Sequence, residues 1–112
     1  NIMKATITLI ELKGPFKFFL LSILAMKIVK QLKTTNCKAF KNKGFWTKHY
    51  TMTLWNNEQE LKDFASSGAH LEAMKASKKL AKEIRTITID TVKLPNWIEA
   101  KQLLTQGKVI KY

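Results

Sequence analysis

Two histidines, a carboxylate and a repeated threonine word carry the chemistry in this sequence that could hold or change a small molecule. Thr6-Ile7-Thr8, Thr51-Met52-Thr53 and Thr86-Ile87-Thr88 recur in three well-separated stretches. Side chains alternate between faces along a strand, so three such words on neighbouring strands give one wall of hydroxyls and one of apolar groups. The expected arrangement turns the apolar middle residues toward the helices. The threonines then line the opposite face, where a second sheet would enclose them. His49, Trp55 and Asp90 share that wall by parity, adding a titratable base, an aromatic surface and a carboxylate. The plainer reading is that threonine is a good strand former that pairs across strands.

His70 follows the break at Gly68 and opens a helix, on the side that carries Ala73 and Met74. Near the positive end of a helix dipole, a partly buried imidazole tends to stay neutral. Such a group can ligate haem iron or move a proton; equally, it can cap the helix break and pack. The candidate catalytic residues are therefore His70, His49 and Asp90. The candidate ligand-binding residues are Thr6, Thr8, Thr51, Thr53, Trp55, Thr86, Thr88 and Met74. No firm metal site follows, and haem at His70 is the one cofactor left open.

Other chemistries lack their residues. There is no phosphate-cradling glycine loop, no histidine pair at helical spacing for zinc, and no Gly-x-Ser-x-Gly nucleophile turn. Cys37 is the single cysteine, so no internal disulfide or multi-cysteine metal site can form, and an inert or buried thiol in a reducing, cytoplasmic setting is expected.

These residues need elements to position them. Lys4 to Leu12 alternates as a first strand. Pro15 suits a helix start, and Phe16 to Leu32 follows with a stripe of Phe18, Leu21, Leu24, Ala25, Ile28 and Leu32. Phe19, Leu20, Ile23 and Met26 wrap apolar groups around the other side of its first half, so something beyond its own sheet should cover that end. A weaker strand over Thr34 to Lys41, a turn at Asn42-Lys43-Gly44 and a third strand from Phe45 to Trp55 make a hairpin. Asn57 three residues before Glu60 reads as a capping box opening a second helix, with Trp55 or Leu54 placed to staple Leu61. Gly68 breaks that helix, and His70 to Glu83 resumes it. Arg85 to Leu94 alternates as a fourth strand, and Asn96 caps a closing helix, Trp97 to Gln106, ending at Gly107. This order predicts an α+β, ferredoxin-like βαββαβ fold with an antiparallel four-stranded sheet in the order four, one, three, two, and an extra C-terminal helix.

At 112 residues the chain reads as one domain over 3–112, with Asn1 and Ile2 as additions ahead of a start at Met3. The apolar stretch Phe18 to Met26 is bracketed by Lys17 and Lys27 and is shorter than a membrane span. Nine lysines and no acid lie between Leu12 and Asn57 in a chain of net charge +12. Such a field serves solubility, and it can also recruit an anionic membrane, ligand or nucleic acid. A single arginine, Arg85, speaks against nucleic acid, where the guanidinium fork reads bases and grips phosphates.

The stretch Phe45-Trp46-Thr47 through Thr51-Met52-Thr53-Leu54-Trp55, then Phe64-Ala65-Ser66-Ser67-Gly68-Ala69-His70 and Met74, resembles the dimeric α+β barrel superfamily of antibiotic biosynthesis monooxygenases. It is nearest to uncharacterised bacterial members related to spheroidene monooxygenase, and Pro95-Asn96-Trp97-Ile98-Glu99-Ala100 resembles their ends. The resemblance implies a homodimer and a pocket between sheet and helices for a small apolar or aromatic compound. It covers cofactor-free oxygenases, haem-degrading and haem-dependent enzymes, and proteins without known activity, so it does not choose the chemistry. The haem-degrading branch uses a first-strand Asn and a helical Trp and His. Strand one here has no Asn, and Phe64 and Met74 fall at the other two places. Two functions are carried forward: a small-molecule-binding, monooxygenase-like protein, and a non-enzymatic basic protein docking on an anionic membrane surface or partner.

Overall fold

The computed structural model describes residues 2–112; Asn1 lies outside the described residues. The chain runs β1 (Met3–Leu12), α1 (Lys17–Leu32), β2 (Ala39–Phe45), β3 (Lys48–Trp55), α2 (Glu58–Ala65), α3 (Gly68–Leu80), β4 (Ala81–Thr91), α4 (Trp97–Leu104) and β5 (Lys108–Lys111). All strands pair antiparallel, in the order β2-β3-β1-β4-β5. The expected order of the first four strands holds. A fifth strand is added at the β4 edge, so the sheet has five strands and not four.

Register decides what each face carries. Ile7 faces Met52 on one side and Ile87 on the other, while Thr6 sits between Thr53 and Thr88, and Thr8 between Thr51 and Thr86. One face of the sheet therefore packs Ile7 and Met52 under Ala100 and Leu104 of α4. The opposite face meets α1, α2 and α3, through two separate apolar clusters. At one end Ile10, Leu12, Ala81 and Ile84 pack with Leu21 and Leu24 of α1 and Leu80 of α3. At the other, Trp55 and Phe40 pack with Ile28 and Leu32 of α1 and Phe64 of α2. This reverses the expected facing: the threonines look toward α1–α3, and the apolar middle residues look toward the C-terminal helix.

The hairpin also departs from expectation. Asn42, Lys43 and Gly44 belong to β2, and the chain turns at Trp46 and Thr47. Gly44 pairs with His49, and a Cβ there would stand 2.5 Å from the His49 Nδ1. It is glycine to admit a ring and not to make a turn. Trp46 takes the bend with φ 55°, in the left-handed region that a bulky side chain rarely adopts. Thr34 to Lys38, expected in the second strand, are turns and loop tying α1 to β2, and 81–83, expected at the end of a helix, open β4.

Caps follow the sequence closely. The Asn57 side chain accepts from Glu60 N–H at 2.9 Å, and Glu60 accepts in return from Asn56 N–H at 3.1 Å. Asn96 accepts from Glu99 N–H at 2.8 Å to start α4. No helix among the described residues is long and apolar enough to cross a membrane.

Candidate functional site

Three strands place the six threonines as two rows of three: Thr51, Thr8, Thr86 and Thr53, Thr6, Thr88. With strands about 4.8 Å apart and alternate residues about 6.8 Å apart, the array covers an area on the order of 7 by 10 Å, the footprint of a small ring system. Thr6 and Thr88 hydroxyls share a hydrogen bond of 3.1 Å, and Thr8 and Thr86 one of 3.2 Å. Thr86 also donates to the Ile7 carbonyl at 3.2 Å. Four of the six hydroxyls are thus oriented by one another. All six are at least partly exposed, although this face of the sheet carries three helices. The two apolar clusters on this face lie toward opposite ends of it, with the threonine array between them.

His49, Thr51, Thr53 and Trp55 follow one another along this face of β3. Trp55 is almost fully buried; its ring stacks on Phe64 at 5.1 Å and its Nε1 donates to Thr53 at 2.9 Å. It is a wall and an anchor for a threonine, not an exposed platform. His49 ends the row on the other side, under Phe18 of α1 with ring centroids 5.3 Å apart. Desolvation holds its pKa below the ordinary value, against an opposing hydrogen bond with the Trp46 backbone. Its Nε2 is buried and makes no hydrogen bond. A buried imidazole nitrogen without a partner is a group to explain.

His70 is built into the break between α2 and α3. Its Nδ1 donates to the Ala65 carbonyl at 3.1 Å, which fixes the tautomer and leaves Nε2 as the acceptor. Its ring packs on Phe64 at 4.9 Å, and burial lowers its pKa despite the Ala65 bond. Gln31 of α1 organises the same break, a role that periodicity did not single out. Its amide donates to the Ser67 carbonyl at 3.0 Å and accepts from His70 N–H at 2.9 Å. Gly68, at φ 57°, lies directly beneath it. His70 and Trp55 thus meet through Phe64, at the end of the cleft away from His49.

Asp90 lies on the same face beyond the threonines, paired across to Lys4 in an exposed ion pair that raises the lysine pKa by hydrogen bonding and charge. Met74 is an exposed side chain of α3 and belongs to neither apolar cluster. Cys37 donates to the Ala39 carbonyl at 3.2 Å, and burial pushes its thiol up, as expected of an inert sulfur.

The His70 ring is packed on Phe64 and held at Nδ1 by the Ala65 carbonyl, and two hollows of about 240 and 280 Å³ are lined by neither His70 nor the six threonines. Both are also below the roughly 300–1,000 Å³ of ordinary small-molecule sites. Among the described residues there is no group of three or more His, Cys, Asp or Glu that could hold a metal ion.

No family model and no curated protein matches the sequence. Solved structures do match the fold. A protein of unknown function from Nitrosomonas europaea superposes with a TM-score of 0.71 at 13% identity, over 85% of this chain and 96% of its own. A protein from Caulobacter crescentus, provisionally named an antibiotic biosynthesis monooxygenase, gives 0.69 at 14% identity, over 81% and 91%. A variant of SnoaB, a cofactor-independent oxygenase from Streptomyces nogalater, gives 0.65 at 9% identity, over 84% and 98%. The chain has the fold of the antibiotic biosynthesis monooxygenases, as the sequence resemblance implied.

Proposed function

We propose that this chain, sharing its fold with antibiotic biosynthesis monooxygenases, binds a small aromatic compound bearing a hydroxyl or carbonyl in the cleft between its sheet and α1–α3. The observation that carries the reading is the array of six partly exposed threonines between two apolar clusters, with the orphaned Nε2 of His49 at one end. Apolar walls take the ring faces, and hydroxyls orient the polar substituents. A neutral imidazole at that edge accepts a proton from an acidic ring hydroxyl, which makes the ring electron-rich and suits a monooxygenase-like, cofactor-free reaction with dioxygen.

The test is titration with 2-naphthol, followed by proton NMR of the threonine methyls. Saturable binding that weakens about tenfold in Thr8→Val/Thr51→Val is expected, since each unmade hydrogen bond to a bound polar group costs about 1 kcal/mol. Equal affinity in the variant sinks the reading. Oxygen consumption with hydroxylated polycyclic aromatics, abolished in His49→Gln, would separate an enzyme from a binding module.

A second copy of the chain belongs to the same proposal. Beyond the end of α4 the other sheet face is open over Leu9, Tyr50 and Arg85, around a hollow of about 240 Å³. The next row reads Lys48, Glu11, Glu83, Lys111 from β3 to β5. Both charge signs in one row let a two-fold copy match itself. Light scattering at micromolar concentration that gives a monomer mass removes this part.

A further inference from the structure

One end of the molecule gathers exposed apolar side chains that neither the cleft nor the sheet uses. The backbone brings them together: Leu12 N–H bonds the Thr47 carbonyl at 2.8 Å, tying the exit of β1 to the hairpin tip, and Phe18 at the start of α1 stacks on His49 at the hairpin base. Phe16 is 84% exposed, Phe19 69% and Trp46 72%, and Ile23 and Met26 continue the patch along the outer side of α1. Exposed apolar side chains gathered at one end in this way suit a binding surface. Trp46 is there at a conformational cost, since it occupies a left-handed turn position where glycine or asparagine would be strain-free. Strain spent on presenting an indole to solvent points to a use for the indole.

The charge around the patch narrows the occupant. All nine lysines between Leu12 and Asn57 are exposed and no acid lies among them in the sequence; in space Lys27 pairs with Glu72 of α3 at 3.5 Å and Lys48 stands across from Glu11. Lys17 lies beside the aromatic end of α1, Lys30 and Lys33 continue its outer side, and Lys43 and Lys48 flank the hairpin tip. A second copy is disfavoured, because a two-fold contact would press the two cationic rims together. The patch is the outside of a helix and the tip of a hairpin. We infer that this end docks on an anionic lipid bilayer surface, α1 lying in the interfacial plane with Phe16, Phe19, Ile23 and Trp46 in the headgroup region and the lysines against lipid phosphates. Indole and phenyl rings favour that depth, and lysine stems span it with their ammonium groups in water. This places the cleft, whose His49 end lies under Phe18, next to the source of an apolar compound.

The experiment is co-sedimentation of the full chain with vesicles of phosphatidylcholine alone and of an equal mixture of phosphatidylcholine and phosphatidylglycerol, at low and high salt. Binding to the mixed vesicles, at least about tenfold weaker on the neutral ones and weakened by salt, is expected. Phe19→Ser/Trp46→Ser, at exposed positions that leave the core intact, should lose most of it; Lys17→Glu/Lys43→Glu should lose the preference for anionic lipid. Circular dichroism of each variant checks the fold, and Trp46→Ser alone serves if the double variant does not fold. Absence of binding to mixed vesicles, or binding that survives both folded variants, overturns the inference. Saturable binding to an acidic protein under conditions where vesicles fail would reassign the surface to a protein partner and equally overturn it.

Discussion

His49 and His70 are the residues whose surroundings can be read in solution. Both are held below the ordinary imidazole pKa of about 6.5, chiefly by desolvation, so the unfolded chain binds protons that the folded chain refuses. Stability is then fully present above about pH 6.5 and falls as pH drops through that value toward the depressed folded pKa. Thermal midpoints measured between pH 7.5 and about pH 5 should decline, and His70→Gln should flatten the slope; a slope unchanged in that variant would show that His70 titrates as if unfolded. Gln31 is the other informative residue. Gln31→Leu leaves the Ser67 carbonyl and the His70 N–H without their partners and should cost about 1–3 kcal/mol in urea unfolding. A loss within error would mean that water takes over the break.

At the scale of elements, α4 is a small helix with a large duty, because Ala100 and Leu104 cover Ile7 and Met52. Leu104→Ala should therefore cost about 2–5 kcal/mol, and Asn96→Ala, which removes the α4 cap, about 1 kcal/mol. Both are read from chemical denaturation, and a smaller loss at Leu104 than at Asn96 would mean that α4 is not part of the cooperative core. Elements with a clean period or cap were legible in the sequence: β1 and most of β4 from alternation, α2 and α4 from Asn57 and Asn96. Two were not. Asn-Lys-Gly carries turn chemistry, which hid that Gly44 is required opposite the His49 ring. β5 is four exposed residues with no alternation between faces to read. The threonine array shows the same limit at the site. A period of two says which residues share a face, but which face receives the helices depends on α4, whose packing site has no local signature. Gln31 was invisible for a related reason, since its partners lie 33 to 39 residues away.

The whole molecule divides into two faces and an end. The helix face carries the threonine array, the other face a partly covered sheet with both charge signs, and the α1-hairpin end exposed apolar side chains among lysines. If the two proposed surfaces act independently, Phe19→Ser/Trp46→Ser should leave 2-naphthol affinity within about twofold, as expected for separated sites without shared partners. A parallel loss of both would mean that the α1 start shapes the cleft through Phe18 and His49.

The sheet still has two free margins, β2 and β5, and their sequences differ in length and composition but share one habit. Lys41 and Lys43 sit on one rim, Lys108 and Lys111 on the other, all exposed. Unpaired backbone on an edge strand invites the next chain to add itself, and cations meeting cations across such a seam oppose this. Cationic rims of this kind oppose edge-to-edge growth, and the opposition weakens where salt screens them.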